Sequence, residues 1–255
     1  MTQSAPRPGS DASGDVAAPG GRLSDTQRIR IVLGRSPHTG NASGEFLDRL
    51  AALGRIQSSE DGELIHSAWR PIHRFWMILS GGLRVTAVSS DGTERTIAVL
   101  GEGSYYAAGS LVKDGMSIKS EVHSVGETQL AVFDVMQLEQ EFGSDKGFEQ
   151  YRRALLYQRF WAMADIYRDV LVAPLPQRLA RRLLGQALTA GRDPDIELRV
   201  TQSDLATMLG ASRSRVNAVL RQLEADGAIR LGYRQIVIQD LALLRQAAGS
   251  DVMPI

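Results

Sequence analysis

The chain has no cysteine. That removes structural disulfides, thiolate-held iron–sulfur clusters and thiol redox sensing from its chemistry, and it fits a reducing cytoplasm. Long apolar runs are missing too. None reaches the roughly 18 residues that a membrane span needs, and the first residues lack the apolar core of a secretory signal. There is no net charge either: 29 basic side chains stand against 29 acidic ones. A protein whose whole surface gripped nucleic acid would not balance in this way, so any such grip has to be local. Catalytic constellations are also lacking. There is no cysteine nucleophile, no paired histidine–carboxylate metal spacing and no glycine loop with a lysine to cradle a phosphate. Neither an enzyme, a metal site nor a cofactor is therefore expected.

What is present is enough chain for two domains with real cores, 255 residues of which 43% are hydrophobic. Residues 1–22 are rich in Pro, Gly, Ser, Ala and Asp and read as a disordered tail. Phe46, Leu47, Leu50, Leu53 and Ile56 then recur at helical spacing. From about residue 63 to 133 the pattern changes to short apolar runs cut by glycine, such as Phe75-Trp-Met-Ile-Leu79 before Ser80-Gly-Gly82. Closely spaced strands with such turns argue an antiparallel barrel or jelly roll, within a first domain of residues 23–145.

A long helix is expected over 146–172. Leu156, Phe160, Met163, Tyr167 and Val170 recur along it at spacings of four and three, the pattern of a coiled-coil seam between two copies of the chain. The alternative is a helix packed on its own domain. Tyr157, Trp161, Ala164 and Leu171 form a second apolar face, so one face is expected against the roll and the other against a second subunit. Pro174 and Pro176 end the helix and suggest a hinge. Another helix, about 177–189, leads into a third unit, 173–255.

That last unit carries the strongest signal. Thr201-Gln-Ser-Asp204 is a capping box, opening a helix with Leu205, Ala206, Met208 and Leu209 on its apolar side. Ala206 is small enough for a close helix crossing, Gly210 tolerates positive φ at the turn, and Ser212 caps a second helix to about Ala225. Val216 and Val219 can seat that helix on the first. Two short strands, 228–231 and 234–238, joined by Gly232-Tyr233, complete a winged helix-turn-helix. Ser212, Arg213, Ser214, Arg215 and Asn217 lie where such a helix enters the DNA major groove, Arg213 being the first choice for a guanine contact. Thr201, Gln202 and Ser203 are expected to position phosphates, as are Arg230, Tyr233 and Arg234 on the wing. From residue 173 onward there are eleven arginines and no lysine against eight acidic residues, a local excess of about +3.

The order of roll, long helix, hinge and winged helix-turn-helix resembles the superfamily of the cyclic-AMP receptor protein and the fumarate–nitrate reduction regulator. The resemblance covers about residues 46–248. It rests on Gly210-Ala-Ser-Arg-Ser-Arg-Val-Asn217 with residues 219–229, on Leu79-Ser-Gly-Gly-Leu-Arg-Val85 and on Gly101-Glu-Gly-Ser-Tyr105. It implies an α+β protein: an N-terminal β-roll of the cyclic-nucleotide-binding, jelly-roll kind, a long dimerisation helix and a C-terminal winged helix-turn-helix. It further implies a cytoplasmic homodimeric transcription regulator reading an inverted repeat in double-stranded DNA, with RNA polymerase open as a further partner.

The chain departs from this pattern at the phosphate-binding cassette. Where cyclic-nucleotide binders of the family have Gly-Glu-Leu, this chain has Gly109-Ser-Leu111, and the arginine of the later Arg-Ser pair falls at Ile118 or at Lys119. Met163 and Ala164 stand where the cyclic-AMP receptor offers hydroxyls to adenine. Ordinary cyclic AMP is therefore not the expected effector. Tyr105, Tyr106, Ser110, Lys119, Ser120, Tyr157, Trp161 and Ala164 are the candidate lining for a different effector, aromatic or apolar. Alternatively the rings simply fill the space as core. Haem on one of His38, His66, His73 and His123 stays open. A rival reading makes the chain a ligand-binding or protein-docking module whose winged part contacts a partner protein.

Overall fold

A computed structural model describes residues 23–36, 39, 42–190 and 196–249. The expected tail at 1–22 and His38 lie outside the described residues. The first element, α1 (Asp25–Arg35), opens with a capping box in which Ser24 and Gln27 satisfy each other's backbone N–H groups. Ser43 caps α2 (Gly44–Leu53). The strands β1 (Arg55–Ser59), β2 (Leu64–His66), β3 (Pro71–Ile72), β4 (Arg74–Val88), β5 (Glu94–Gly101), β6 (Tyr105–Tyr106), β7 (Met116–Ser117) and β8 (Ser120–Asp134) follow. Ile56, expected on the helix, lies on β1. The main sheet runs β1-β8-β4-β5, with β2 added to β8 and β6 to β4, while β3 and β7 pair separately.

The two long strands organise the roll. β4 and β8 are antiparallel, from Arg74 opposite Asp134 to Ala87 opposite Ser120, with breaks in register between Ile78 and Gly82. Gly81 sits in that break at φ 78, and a Cβ there would lie 2.4 Å from the Glu127 carbonyl oxygen. The bend lets one strand serve two parts of the sheet: β6 pairs with its first half and β5 with its second. Side chains alternate across β4 with the period of a strand. Phe75, Met77 and Leu79 join Ala131 and Phe133 in a core shared with Ile29, Leu33, Phe46 and Leu50 of the first two helices. Trp76 and Ile78, with Leu83 and Val85 past the bend, fill the inside of the roll with Tyr106, Val122, Leu130 and Val132. Arg84, between two inward residues, is thereby turned out.

Three helices follow: α3 (Val135–Phe142), α4 (Lys146–Val172) and α5 (Leu175–Ala190). The first turns of α4 bury Phe148, Tyr151 and Leu155 against the helical layer of the roll. Beyond Leu155 the apolar faces of the helix turn to solvent, and this corrects one expectation. Tyr157, Trp161 and Leu171 do not pack on the roll, being 63%, 45% and 65% exposed. Phe160, Met163, Tyr167 and Val170 on the other face are exposed as well. The junction after α4 is tied by a largely buried ion pair between Asp169 and Arg181, and Arg181 also donates to the Ala248 carbonyl.

The C-terminal part consists of β9 (Ile196–Leu198), α6 (Gln202–Leu209), α7 (Arg213–Ala225), β10 (Ile229–Gly232), β11 (Gln235–Ile238) and α8 (Leu241–Ala248). α6 and α7 have the bounds the sequence implies. Gly210 closes α6 at φ 60, Ala206 is buried at the crossing, and Val216 is fully buried. The wing is a three-stranded sheet, β10-β11-β9. Its turn is Tyr233-Arg234 rather than Gly232-Tyr233, because Gly232 stays in the ladder opposite Gln235.

This part docks on the roll. Val99 of β5 belongs to the winged core, and Gln186 of α5 donates to the Val99 carbonyl at 2.6 Å. Arg84 reaches both oxygens of Asp204 on α6, at 2.9 and 3.1 Å. Burial works against the Asp204 charge, but the bonds from Arg84 and Thr201 prevail and hold its carboxyl below the ordinary 3.8.

Two outcomes are expected. Gly81→Ala forces an L-residue into positive φ against backbone, and should cost about 1–3 kcal/mol in a urea titration. A lowered folded pKa means that Asp204 contributes stability above the ordinary carboxylate range, and that this is lost as pH falls through the lowered value. In acid titrations followed by circular dichroism, Arg84→Gln should begin its loss at higher pH than the wild type.

Candidate nucleic-acid interface and the roll interior

Ser212 caps α7 by accepting the Arg215 N–H, and Val216, Leu220 and Leu223 bury one side of the helix. With those residues inward, Ser212, Arg213, Ser214 and Arg215 are turned to solvent at the helix N-terminus, and Asn217 is half-buried beside them. Neither Arg213 nor Arg215 makes an ion pair among the described residues. Two unpaired guanidiniums at the positive end of a helix make a surface for an anion and for planar hydrogen-bond acceptors. Ser203 is exposed at the start of α6 and Gln202 is half-buried. The Thr201 hydroxyl is engaged with Asp204 at 2.7 Å, so its part here is to cap the helix.

Arg234 stands at the wing turn at φ 57, a left-handed conformation rare for a residue with a side chain. Its guanidinium lies 3.4 Å from Asp61 of the roll. Asp61, Arg84 and Thr96 are residues of this surface that the sequence reading missed. Their partners in the C-terminal part are more than 100 residues away along the chain, and no local pattern marks them.

The candidate effector residues are not brought together. Tyr105 stacks on Phe75 in the helix-side core and donates to the Ser36 hydroxyl at 3.0 Å. Ser110 is fully buried, and its hydroxyl donates to the carbonyls of Ala107 and Arg74. Lys119 is exposed and lies over the Trp69 ring, 5.2 Å from its centroid. Ser120 is buried on β8. Tyr157 and Trp161 touch each other along α4, and Ala164 is half-buried on the same helix. The physical reason is the parity of β6 and the course of α4: Tyr105 faces the helices, its neighbour Tyr106 faces inward, and Tyr157 and Trp161 lie on the solvent side of α4.

The inside of the roll holds a different ring cluster. Trp76 and Tyr106 have centroids 5.7 Å apart, with His66 6.3 Å from each. Trp76 Nε1, Tyr106 Oη and His66 Nε2 have no protein partner there. Burial pushes the Tyr106 hydroxyl up to about 12 and His66 below its ordinary 6.5. His66 is thus a neutral imidazole at neutral pH. His73 is exposed and bonded to Asp114 at 2.9 Å, and His123 lies on β8 opposite Arg84. Among the described residues no group of three His, Asp or Glu could hold a metal ion, and no helix is long and apolar enough to cross a membrane.

Residues 56–145 match the family of the cyclic nucleotide-binding domain, and residues 177–247 that of the Crp-like helix-turn-helix domain. Together the two matches take in well over half of the chain. Over 191 residues the chain is 25% identical to a CRP-like cAMP-activated global transcriptional regulator of Mycobacterium tuberculosis, covering 73% of this chain and 85% of that one. Over 175 residues it is 29% identical to the cyclic AMP receptor protein of Thermus thermophilus, covering 68% and 78%. Its fold is similar to that of a solved CRP/FNR-family transcriptional regulator of Thermus thermophilus, with a TM-score of 0.56 at 22% identity over 76% of this chain and 98% of that one. With both family matches in this order on one chain, around the same sequence of roll, long helix and winged reading head, the protein belongs to the Crp/Fnr superfamily of transcription regulators.

Proposed function

We propose that the chain works in the cytoplasm as a homodimer, joined through α4, that reads an inverted repeat with the exposed first turns of two α7 helices. The working division is a roll at 23–145, a dimerisation helix at 146–172 and a reading head at 173–255. The observation that carries the DNA reading is the unpaired Arg213 at the solvent-facing N-terminus of α7. Two such helices would enter successive major grooves, about one helical turn or ~34 Å apart. Arg213 would take guanine, with Ser214 and Asn217 tuning the half-site and Ser203 and Gln202 positioning phosphates.

Dimerisation is supported by the free half of α4. Phe160, Met163, Tyr167 and Val170 present a contiguous apolar strip to solvent, with Leu156 half-buried at its head. A monomer seldom leaves such a patch in water, and each of these side chains gains about 1.5–3 kcal/mol on full burial. Trp161 and Tyr157 extend the strip on the neighbouring face and suit a wide seam.

The relatives named above are a cAMP-activated regulator and a cyclic AMP receptor; for this chain we propose that cyclic AMP is not the effector. The cassette offers no carboxylate for a ribose, and the Ser110 hydroxyl is already engaged by backbone. Ile118, in the arginine's place, packs against the core inside the roll. Either no effector is needed, or the effector is a smaller uncharged molecule that hydrogen-bonds Trp76, Tyr106 and neutral His66.

Fluorescence-anisotropy titrations test the reading. On the best-bound inverted repeat, Arg213→Ala should lose about 1–3 kcal/mol and discriminate less at the base it contacts. Unchanged DNA binding in that variant would favour a winged part that docks a partner protein. Phe160→Asp with Tyr167→Asp should give monomers in sedimentation equilibrium, with circular dichroism unchanged; a dimer that survives both would place the subunit contact elsewhere.

A further inference from the structure

Four alternating charges join the reading head to the roll. The roll supplies Asp61, between β1 and β2, and Arg84 on β4. The reading head supplies Asp204 on α6 and Arg234 at the wing turn. Arg84 forks onto Asp204, and Arg234 pairs with Asp61 at 3.4 Å. Asp61 is held in place, since its Oδ1 accepts the Gly126 N–H at 2.7 Å. That bond, followed by the charges of Arg234 and Arg84, keeps its carboxyl below the ordinary 3.8 despite some burial. The Arg199 guanidinium lies against Gly126 on β8.

Arg234 is a wing cation of the kind that would meet a phosphate, and it already holds an anion of its own chain. An aspartate oxygen at this distance offers a guanidinium the same chemistry as a phosphate oxygen.

Building on the DNA-reading function proposed above, we propose that this contact is an autoinhibitory latch, in which Asp61 occupies Arg234 in place of the DNA backbone. DNA opens the latch by exchanging one of its phosphates for the carboxylate. Apparent affinity is then reduced by the fraction of molecules whose Arg234 is engaged. Both side chains are about half exposed, so the latch is light and trims affinity by a small factor.

The test is Asp61→Asn in the full-length chain, which keeps an oxygen for the Gly126 N–H and removes only the charge. In anisotropy titrations on the wild type's own inverted repeat, at ~0.1 M salt, the variant should bind about two- to fivefold tighter. In an Arg234→Ala background the same substitution should change nothing. An equal gain in both backgrounds would mean a general loss of repulsion from DNA and would overturn the latch, as would no gain in either. Sequence-specific wild-type binding with either result refutes the latch alone; no sequence-specific wild-type binding refutes both the latch and the DNA-reading function.

Discussion

The ion pair between Arg84 and Asp204 spans 120 residues of chain and carries two duties at one carboxylate. Asp204 completes the capping box that starts α6, accepting the Thr201 N–H, and it also receives the guanidinium of the roll. α6 therefore cannot shift on the roll without disturbing its own N-terminus. Arg84 reaches it because Gly81 bends β4 and the strand alternation turns residue 84 outward between Leu83 and Val85. A change at a roll glycine and a change at a helix cap would thus be felt at the same place. Thr96, at 3.4 Å from Asp204, and the Val99–Gln186 bond extend the contact along β5.

The long helix is divided by what it touches. Up to Leu155 it belongs to the core of the roll, and from Leu156 it offers two apolar faces to solvent. At its far end Asp169 and Arg181 clamp it to α5, so the segment that carries the proposed seam is also firmly linked to the reading head. A partner along this helix would fix the separation of two reading heads, which an inverted repeat requires.

Much of this was legible in the sequence where the signal is local. The capping box at Thr201, the glycine at 210, the cap at Ser212 and the strand at the apolar run Phe75 to Leu79 each follow from neighbours within a few residues, and each stands in the structure as read. The wing turn moved by one residue because a glycine can sit in a ladder as well as in a turn. α1 escaped because its capping box directly follows a low-complexity segment, and α8 because its N-cap, Asp240, stands without the capping box that marks the equally short α6. The apolar pattern of α4 specified burial but not by what, so the face assigned to the roll was misplaced. The effector residues failed for a related reason: Tyr105 and Tyr106 are adjacent, and a strand sends them to opposite sides. The interdomain charges left no local trace at all.

The central claim is a dimer that reads an inverted repeat without cyclic AMP. Selection of bound sequences from a random DNA pool, with purified cyclic-nucleotide-free protein at ~0.1 M salt, addresses it most directly. The account predicts a recovered inverted repeat whose half-site centres lie about one helical turn apart. Recovery of a common sequence only when cyclic AMP is added, or of one without inverted-repeat symmetry, would contradict it.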